Sequence, residues 1–137
     1  MSHHTIFEYP LTILETHLDT FGHVNNAVYL QIFEEARWEL ITQNGYGLDK
    51  IKETGLGPTI LEIKIRYSRE LKPRTKIIIK TQLASYNGRI GTIKQWIVDH
   101  EQNKYCEAEF TMGLFDTKAR KLVTPTSDWL KAIGFHE

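Results

Sequence analysis

Apolar residues recur at alternate positions at the start of the chain, switch to a helical repeat near Asn26, and return to alternation from Leu61 onward. Alternation marks strands with one buried face, and a repeat of three to four marks a helix with an apolar stripe. From Phe7 to Leu18, Tyr9, Leu11 and Ile13 alternate with polar or smaller residues, which predicts a first strand. Pro10 cannot donate a ladder hydrogen bond, which favours an edge or the start of a strand. From Asn26 to about Gln43, Tyr29, Ile32, Phe33, Ala36 and Leu40 fall on one helical face. Gln31, Glu34, Glu35, Arg37 and Glu39 supply the polar positions. Asn25 or Asn26 is a natural cap and Asn44-Gly45 a natural stop.

Downstream, Leu48 to Thr54 reads as a short helical turn and Gly55 to Pro58 as a loop. Leu61, Ile63, Ile65 and Tyr67 then alternate with Glu62, Lys64 and Arg66 as a strand with one buried face. Lys76 to Ser85, Ile90 to Val98 and the run containing Cys106, Ala108, Phe110, Met112 and Leu114 predict three more strands. They are joined at Asn87-Gly88 and Gln102-Asn103-Lys104. Ser127 to Phe135 reads as a terminal helix capped by Ser127 or Asp128. Strand, long helix and four further strands make an α+β plan in which one antiparallel five-stranded sheet curls around one central helix.

A chain of 137 residues holds one core and is read as a single domain, 1–137. Its 17 basic and 17 acidic residues cancel, so the global basic charge of a nucleic-acid or anionic-membrane binder is absent. Met1 to Thr5 carries no leader pattern and no apolar run reaches membrane-spanning length, which predicts a soluble, cytoplasmic protein. His3-His4 is either native or a tag remnant. Cys106 is the only cysteine; it excludes an internal disulfide and, lying among alternating residues, reads as a small buried side chain.

The chemistry concentrates in Leu18 to Tyr29. Asp19 places a carboxylate ahead of a turn that Gly22 permits, and the turn opens into the long helix. The first helical turn has backbone N–H groups without intrahelical partners and a partial positive charge, so it can hold an oxygen that becomes negative during a reaction. Taken by spacing alone, the same residues also suit an ordinary loop and cap. His17, Asp19 and His23 straddle a strand end and a turn, which argues against a metal site.

The run HLDTFGHVNNAVYLQIFEEARW, His17 to Trp38, resembles the 4-hydroxybenzoyl-CoA thioesterase-like group of hotdog-fold proteins. Asp19, Gly22, His23, Asn25, Asn26, Tyr29, Phe33, Glu35, Ala36, Arg37 and Trp38 look most like its long-chain acyl-CoA thioesterase branch. The resemblance implies a hotdog fold and hydrolysis of a medium- or long-chain fatty acyl-CoA. Asp19 would act as nucleophile or general base and the Asn26 backbone N–H as oxyanion donor, with Gly22, His23 and Asn25 shaping the loop. A thioester is electrophilic enough for this pair to suffice without metal or cofactor, and losing such a donor costs on the order of a hundredfold in rate. No Gly-x-Ser-x-Gly elbow offers rival machinery.

The resemblance further implies a homo-oligomer, a dimer or tetramer, with sites at subunit boundaries. Tyr29 and a neighbouring chain's Thr59 would then line the pocket, and Arg89 beside the Asn87-Gly88 turn would contact CoA. Lys64, Arg66, Arg69, Lys72, Arg74, Lys76 and Lys80 are further candidates for phosphate. An acyl-carrier-protein thioesterase and a non-catalytic acyl-CoA or lipid-binding module are the competing expectations.

Overall fold

The computed structural model describes residues 4–137; His3 of the possible tag lies outside them. The elements are β1 (Ile6–Thr12), α1 (Asn26–Gln43), α2 (Leu48–Thr54), β2 (Leu56–Tyr67), β3 (Lys76–Asn87), β4 (Ile90–Val98), β5 (Lys104–Asp116), β6 (Lys121–Val123) and α3 (Ser127–Ala132). The strands form one antiparallel sheet in the order β1-β3-β4-β5-β2, with β6 also on β5. The sheet therefore has six strands rather than five, because a three-residue strand is too short to show a period.

The long helix occupies the expected span. The Asn25 side chain caps it by accepting from the Ala27 N–H at 2.8 Å, and Asn44 ends it, followed by Gly45 at φ 85°. Tyr29, Ile32, Phe33, Ala36 and Leu40 are buried as expected, together with Ile41. The N-terminal half of α1 packs on Ile77, Ile79, Ile97 and Phe110, and its C-terminal half on Leu83, Ile93, Met112 and Trp129. Cys106 is fully buried.

Three boundaries and one burial pattern differ from the sequence expectation. β1 stops at Thr12 because its partner β3 begins at Lys76, the residue paired with Thr12; Glu15–His17 is then a turn of 3-10 helix. Pro10 does sit in an edge strand, paired with Ile78. Gly55 to Pro58 is not all loop: β2 starts at Leu56, and Pro58 is tolerated opposite Leu114 because β2 is the other edge. The terminal helix ends at Ala132, and its cap is Thr126, whose hydroxyl accepts from the Trp129 N–H. A hydroxyl one residue earlier meets the orphan N–H better than Ser127 or Asp128, which already lie within the helix.

The fourth difference bears on function. The inner side chains of β3, β4 and β5 are buried under α1, but of those expected to be buried on β2 only Ile65 packs partly on the core, while Ile63 is exposed by 42% and Tyr67 by 46%. Ile60 and Leu61, at a bulge in the same strand, are exposed as well. Arg37, read as a polar-face residue, is only partly exposed and lies over the Phe110 ring.

Candidate active site

The candidate loop is closed by an isolated bridge between Leu18 and Val24. Inside it, the Asp19 N–H donates to the His23 carbonyl at 2.9 Å, and the Gly22 N–H to the Asp19 carbonyl at 3.1 Å. Gly22 takes φ 80°, with open space where a Cβ would stand, so it is backbone conformation that favours glycine there. The Asp19 Oδ1 accepts from the Phe21 N–H at 2.9 Å and from the His23 N–H at 3.4 Å. These bonds orient the carboxylate and leave its second oxygen without a protein partner among the described residues.

Asn25 and Asn26 follow directly. The Val28 N–H bonds to the Asn25 carbonyl and the Ala27 N–H to the Asn25 side chain. Among the described residues nothing accepts from the Asn26 N–H, so one donor of the helix terminus stays available. One loop thus brings together Asp19, Gly22, His23, Asn25 and Asn26, half-buried to exposed and open to a ligand. A half-buried carboxylate with a free oxygen, in the loop that leads into an available helix-terminal amide, supplies the two kinds of group that acyl transfer uses.

Two residues of this neighbourhood were not singled out from the sequence. The Tyr67 hydroxyl donates to the Asn26 carbonyl at 3.1 Å, tying the end of β2 to the mouth of α1. A Glu70 carboxylate oxygen meets the His23 Nε2. Tyr67 ends an alternating run and so reads as ordinary core, and Glu70 carries no local pattern; only the folded sheet brings them here.

Tyr29 is buried one turn into α1, its ring centroid 5.1 Å from that of Tyr67, and burial pushes its pKa up to about 12. Thr59 and Arg89 lie elsewhere. Eight residues of strand separate Thr59 from Tyr67, about 26 Å at the usual rise. Arg89 is exposed at the β3–β4 turn, where its carbonyl faces Gly113, the residue paired with Thr59. Within one protomer these two residues are together, at the end of the sheet away from Asp19.

The basic residues divide similarly. Arg74 pairs with Glu15, and Arg69 stacks over Tyr105 at 5.7 Å, both beside the candidate loop. Lys80 meets Glu8 at 3.7 Å, and Lys72 and Lys76 are exposed. Lys64 and Arg66 line an open trough of about 550 Å³ on the outer sheet face with Trp96, Glu107 and Glu109. Alternating charges across neighbouring strands offset one another there, the ordinary state of a solvated sheet face.

Residues 14–133 match the family model of the thioesterase-like superfamily. The chain belongs to that family. This hotdog protein is 32% identical over 106 residues to the long-chain acyl-CoA thioesterase FadM of Escherichia coli (strain K12), covering 77% of this chain and 80% of the relative. It is 26% identical over 129 residues to a chloroplastic acyl-acyl carrier protein thioesterase of Arabidopsis thaliana, covering 93% of this chain and 68% of that one. The crystal structure of YbaW, a probable thioesterase from Escherichia coli, superposes with a TM-score of 0.80 at 27% identity, covering 91% of this chain and 94% of that one. Among the described residues no helix is long and apolar enough to cross a membrane.

Proposed function

We propose that this protein hydrolyses medium- or long-chain fatty acyl-CoA to free acid and CoA. Asp19 supplies the carboxylate that attacks the thioester carbonyl or activates water, and the Asn26 N–H stabilises the oxygen that becomes negative. The observation that carries this reading is the loop itself, which orients the Asp19 carboxylate through backbone donors and leaves the Asn26 N–H unclaimed. The 32% identity to an acyl-CoA thioesterase supports the carrier and the acyl class.

The site is completed by a second copy. The exposed inner face of β2 and its free edge call for a partner strand. Antiparallel pairing of two β2 strands about a two-fold axis near Ile63 sets Thr59 of one protomer opposite the partner's Tyr67. That brings Thr59 and Arg89 to the loop that holds Asp19, and it resolves their separation within one protomer.

Free-thiol release from a panel of acyl-CoA thioesters, run beside the same acyl groups on acyl carrier protein, tests the reading. Turnover of CoA substrates with weaker turnover of carrier-protein substrates is expected. The reverse preference would favour the carrier-protein thioesterases that the chain also resembles, and binding without turnover would reduce it to an acyl-CoA-binding module. A monomeric mass in solution would remove the shared site.

A further inference from the structure

We propose that Glu70 is a positioning residue of the reaction: by holding the His23 ring it fixes the Asp19 carboxylate in place relative to the Asn26 N–H. The inference rests on the thioesterase reading above and adds to it a residue that acts through the loop rather than on the substrate.

The loop has few supports of its own. Its base is closed by the Leu18–Val24 bridge, and Val24 is buried. Its tip has no apolar anchor, since the Phe21 side chain is 82% exposed. Between base and tip the shape passes through His23, whose carbonyl accepts from the Asp19 N–H at 2.9 Å and whose N–H donates to Asp19 Oδ1 at 3.4 Å. Any movement of the His23 backbone therefore moves the carboxylate. The 3.4 Å bond is long for an N–H donor and restrains the carboxylate weakly by itself.

Glu70 supplies the missing restraint from a rigid base. It stands in the connection after β2, where the Ser68 and Arg69 N–H groups both donate to the Tyr105 carbonyl, at 3.0 and 3.1 Å. The next residue, Leu71, is fully buried in the core cluster that also holds Tyr29 and Phe33 of α1. From that base the Glu70 carboxylate reaches the His23 Nε2. Arg69 precedes Glu70 and Lys72 follows close behind, yet among the described residues neither makes an ion pair with it. An ionised carboxylate only accepts, so Nε2 carries the proton and donates. Both side chains are about half exposed, and a contact this wet adds little to folding stability. Its effect is on where the loop sits.

The same stretch of chain holds the other half of the site. Just before Glu70, the Tyr67 hydroxyl donates to the Asn26 carbonyl at 3.1 Å. One short segment thus braces both the loop that carries Asp19 and the helix mouth that carries the Asn26 N–H, which sets the spacing between them. Displacing a reacting group by about 1 Å can cost roughly a hundredfold in rate.

The test measures thiol release from an acyl-CoA that the wild type turns over, with kcat and KM separated, for Glu70→Ala, Glu70→Gln and His23→Phe. Glu70→Ala removes the acceptor and should lower kcat about tenfold or more, with KM within about threefold and Tm within about 2 °C of the wild type. Glu70→Gln keeps an acceptor oxygen and should recover most of kcat. His23→Phe removes the donor and should match Glu70→Ala, and the double variant should be no slower than the slower single, because both break one contact. In the Asp19→Asn background the penalty of Glu70→Ala should shrink to about twofold or less. A smaller loss in Glu70→Ala overturns the inference, as does Glu70→Gln that is equally slow, which would place the effect in the charge. Penalties that multiply in the double variant, or a loss of kcat that comes only with a large fall in Tm, overturn it too. All of these leave the thioesterase reading standing. Absence of thiol release by the wild type from any acyl-CoA overturns that reading and this inference with it.

Discussion

Asp19→Asn separates the charge of the proposed catalytic group from its place in the loop. The Asp19 Oδ1 accepts from two backbone N–H groups, at 2.9 Å from Phe21 and 3.4 Å from His23. An asparagine presents an amide oxygen in the same position, so both bonds persist and lose only their charge assistance. At a half-exposed loop position the structural cost should stay within about 0.5 kcal/mol. Proton transfer by a placed carboxylate is worth roughly a hundredfold to ten-thousandfold, or about 2.7–5.5 kcal/mol of barrier. The chemical loss therefore exceeds the structural loss at least fivefold. Steady-state thiol release should show kcat down by about two to four orders of magnitude with KM within a few-fold. A thermal melt should show Tm within about 2 °C of the wild type. A variant that keeps more than about a tenth of kcat would refute the role of the Asp19 charge. One whose activity falls only alongside a large drop in Tm would show that the carboxylate holds the loop and nothing more.

Ile63→Lys puts a charge on the exposed inner face of β2 and should drive the protein to monomer, with activity lost; light scattering reads the mass, and an unchanged oligomer would move the interface off β2. Asn25→Ala removes the cap that accepts from the Ala27 N–H and should cost about 1 kcal/mol, seen in urea midpoints, with kcat falling as the Asn26 N–H loses its orientation. In strong base, burial holds the Cys106 thiol and the Tyr29 hydroxyl up at about 12, and the Glu35 carboxylate beside it holds Tyr9 at about 12. The folded state favours their neutral forms and the unfolded chain ionises at the ordinary values. Stability should therefore hold at neutral pH and fall from roughly pH 9 to pH 12 as unfolded molecules lose protons first. Urea midpoints across that range check this, and Cys106 should stay inert to thiol reagents until the protein unfolds.

The helix was legible because its stripe, cap and stop agree: Tyr29 to Leu40 set the period, Asn25 supplies the cap and Asn44-Gly45 ends it. The β3–β4 hairpin was legible from Asn87-Gly88 for the same reason. What escaped the sequence depends on pairing partners. β1 ends where β3 begins, β2 extends into Gly55 to Pro58 because β5 is long enough to pair with it, and β6 exists only as an annex of β5. The residues of the candidate loop were legible as a contiguous run, whereas Tyr67 and Glu70 arrive through the sheet. Arg37 was misplaced because a helical repeat assigns a long basic side chain to solvent, although its stem can run along apolar surface and deliver the head beneath the helix.

The exposed face of β2 follows from dimensions. A helix with its side chains is about 10–12 Å wide, and strands lie about 4.8 Å apart, so one helix covers two to three strands. The path β1-β3-β4-β5-β2 spans about 19 Å between its outer strands. The helix sits over the middle of that path, where Ile77, Ile79, Ile97 and Phe110 are buried. At the β1 edge the deficit is met locally: Tyr9 reaches Glu35 of α1, and the Thr5 N–H bonds to the Gly134 carbonyl beyond α3. At the β2 edge only the end of the strand is met, where Tyr67 bonds to the Asn26 carbonyl of α1, and among the described residues Ile60, Ile63 and Tyr67 keep apolar surface in water. A second copy of α1 has the width and the apolar character to cover it. In the proposed dimer, pairing of the two β2 edges would place that second helix there, and the same step would carry Thr59 and Arg89 to the partner's Asp19. That dimer would couple stability and catalysis at one strand, which is why a single charge at Ile63 is expected to remove both.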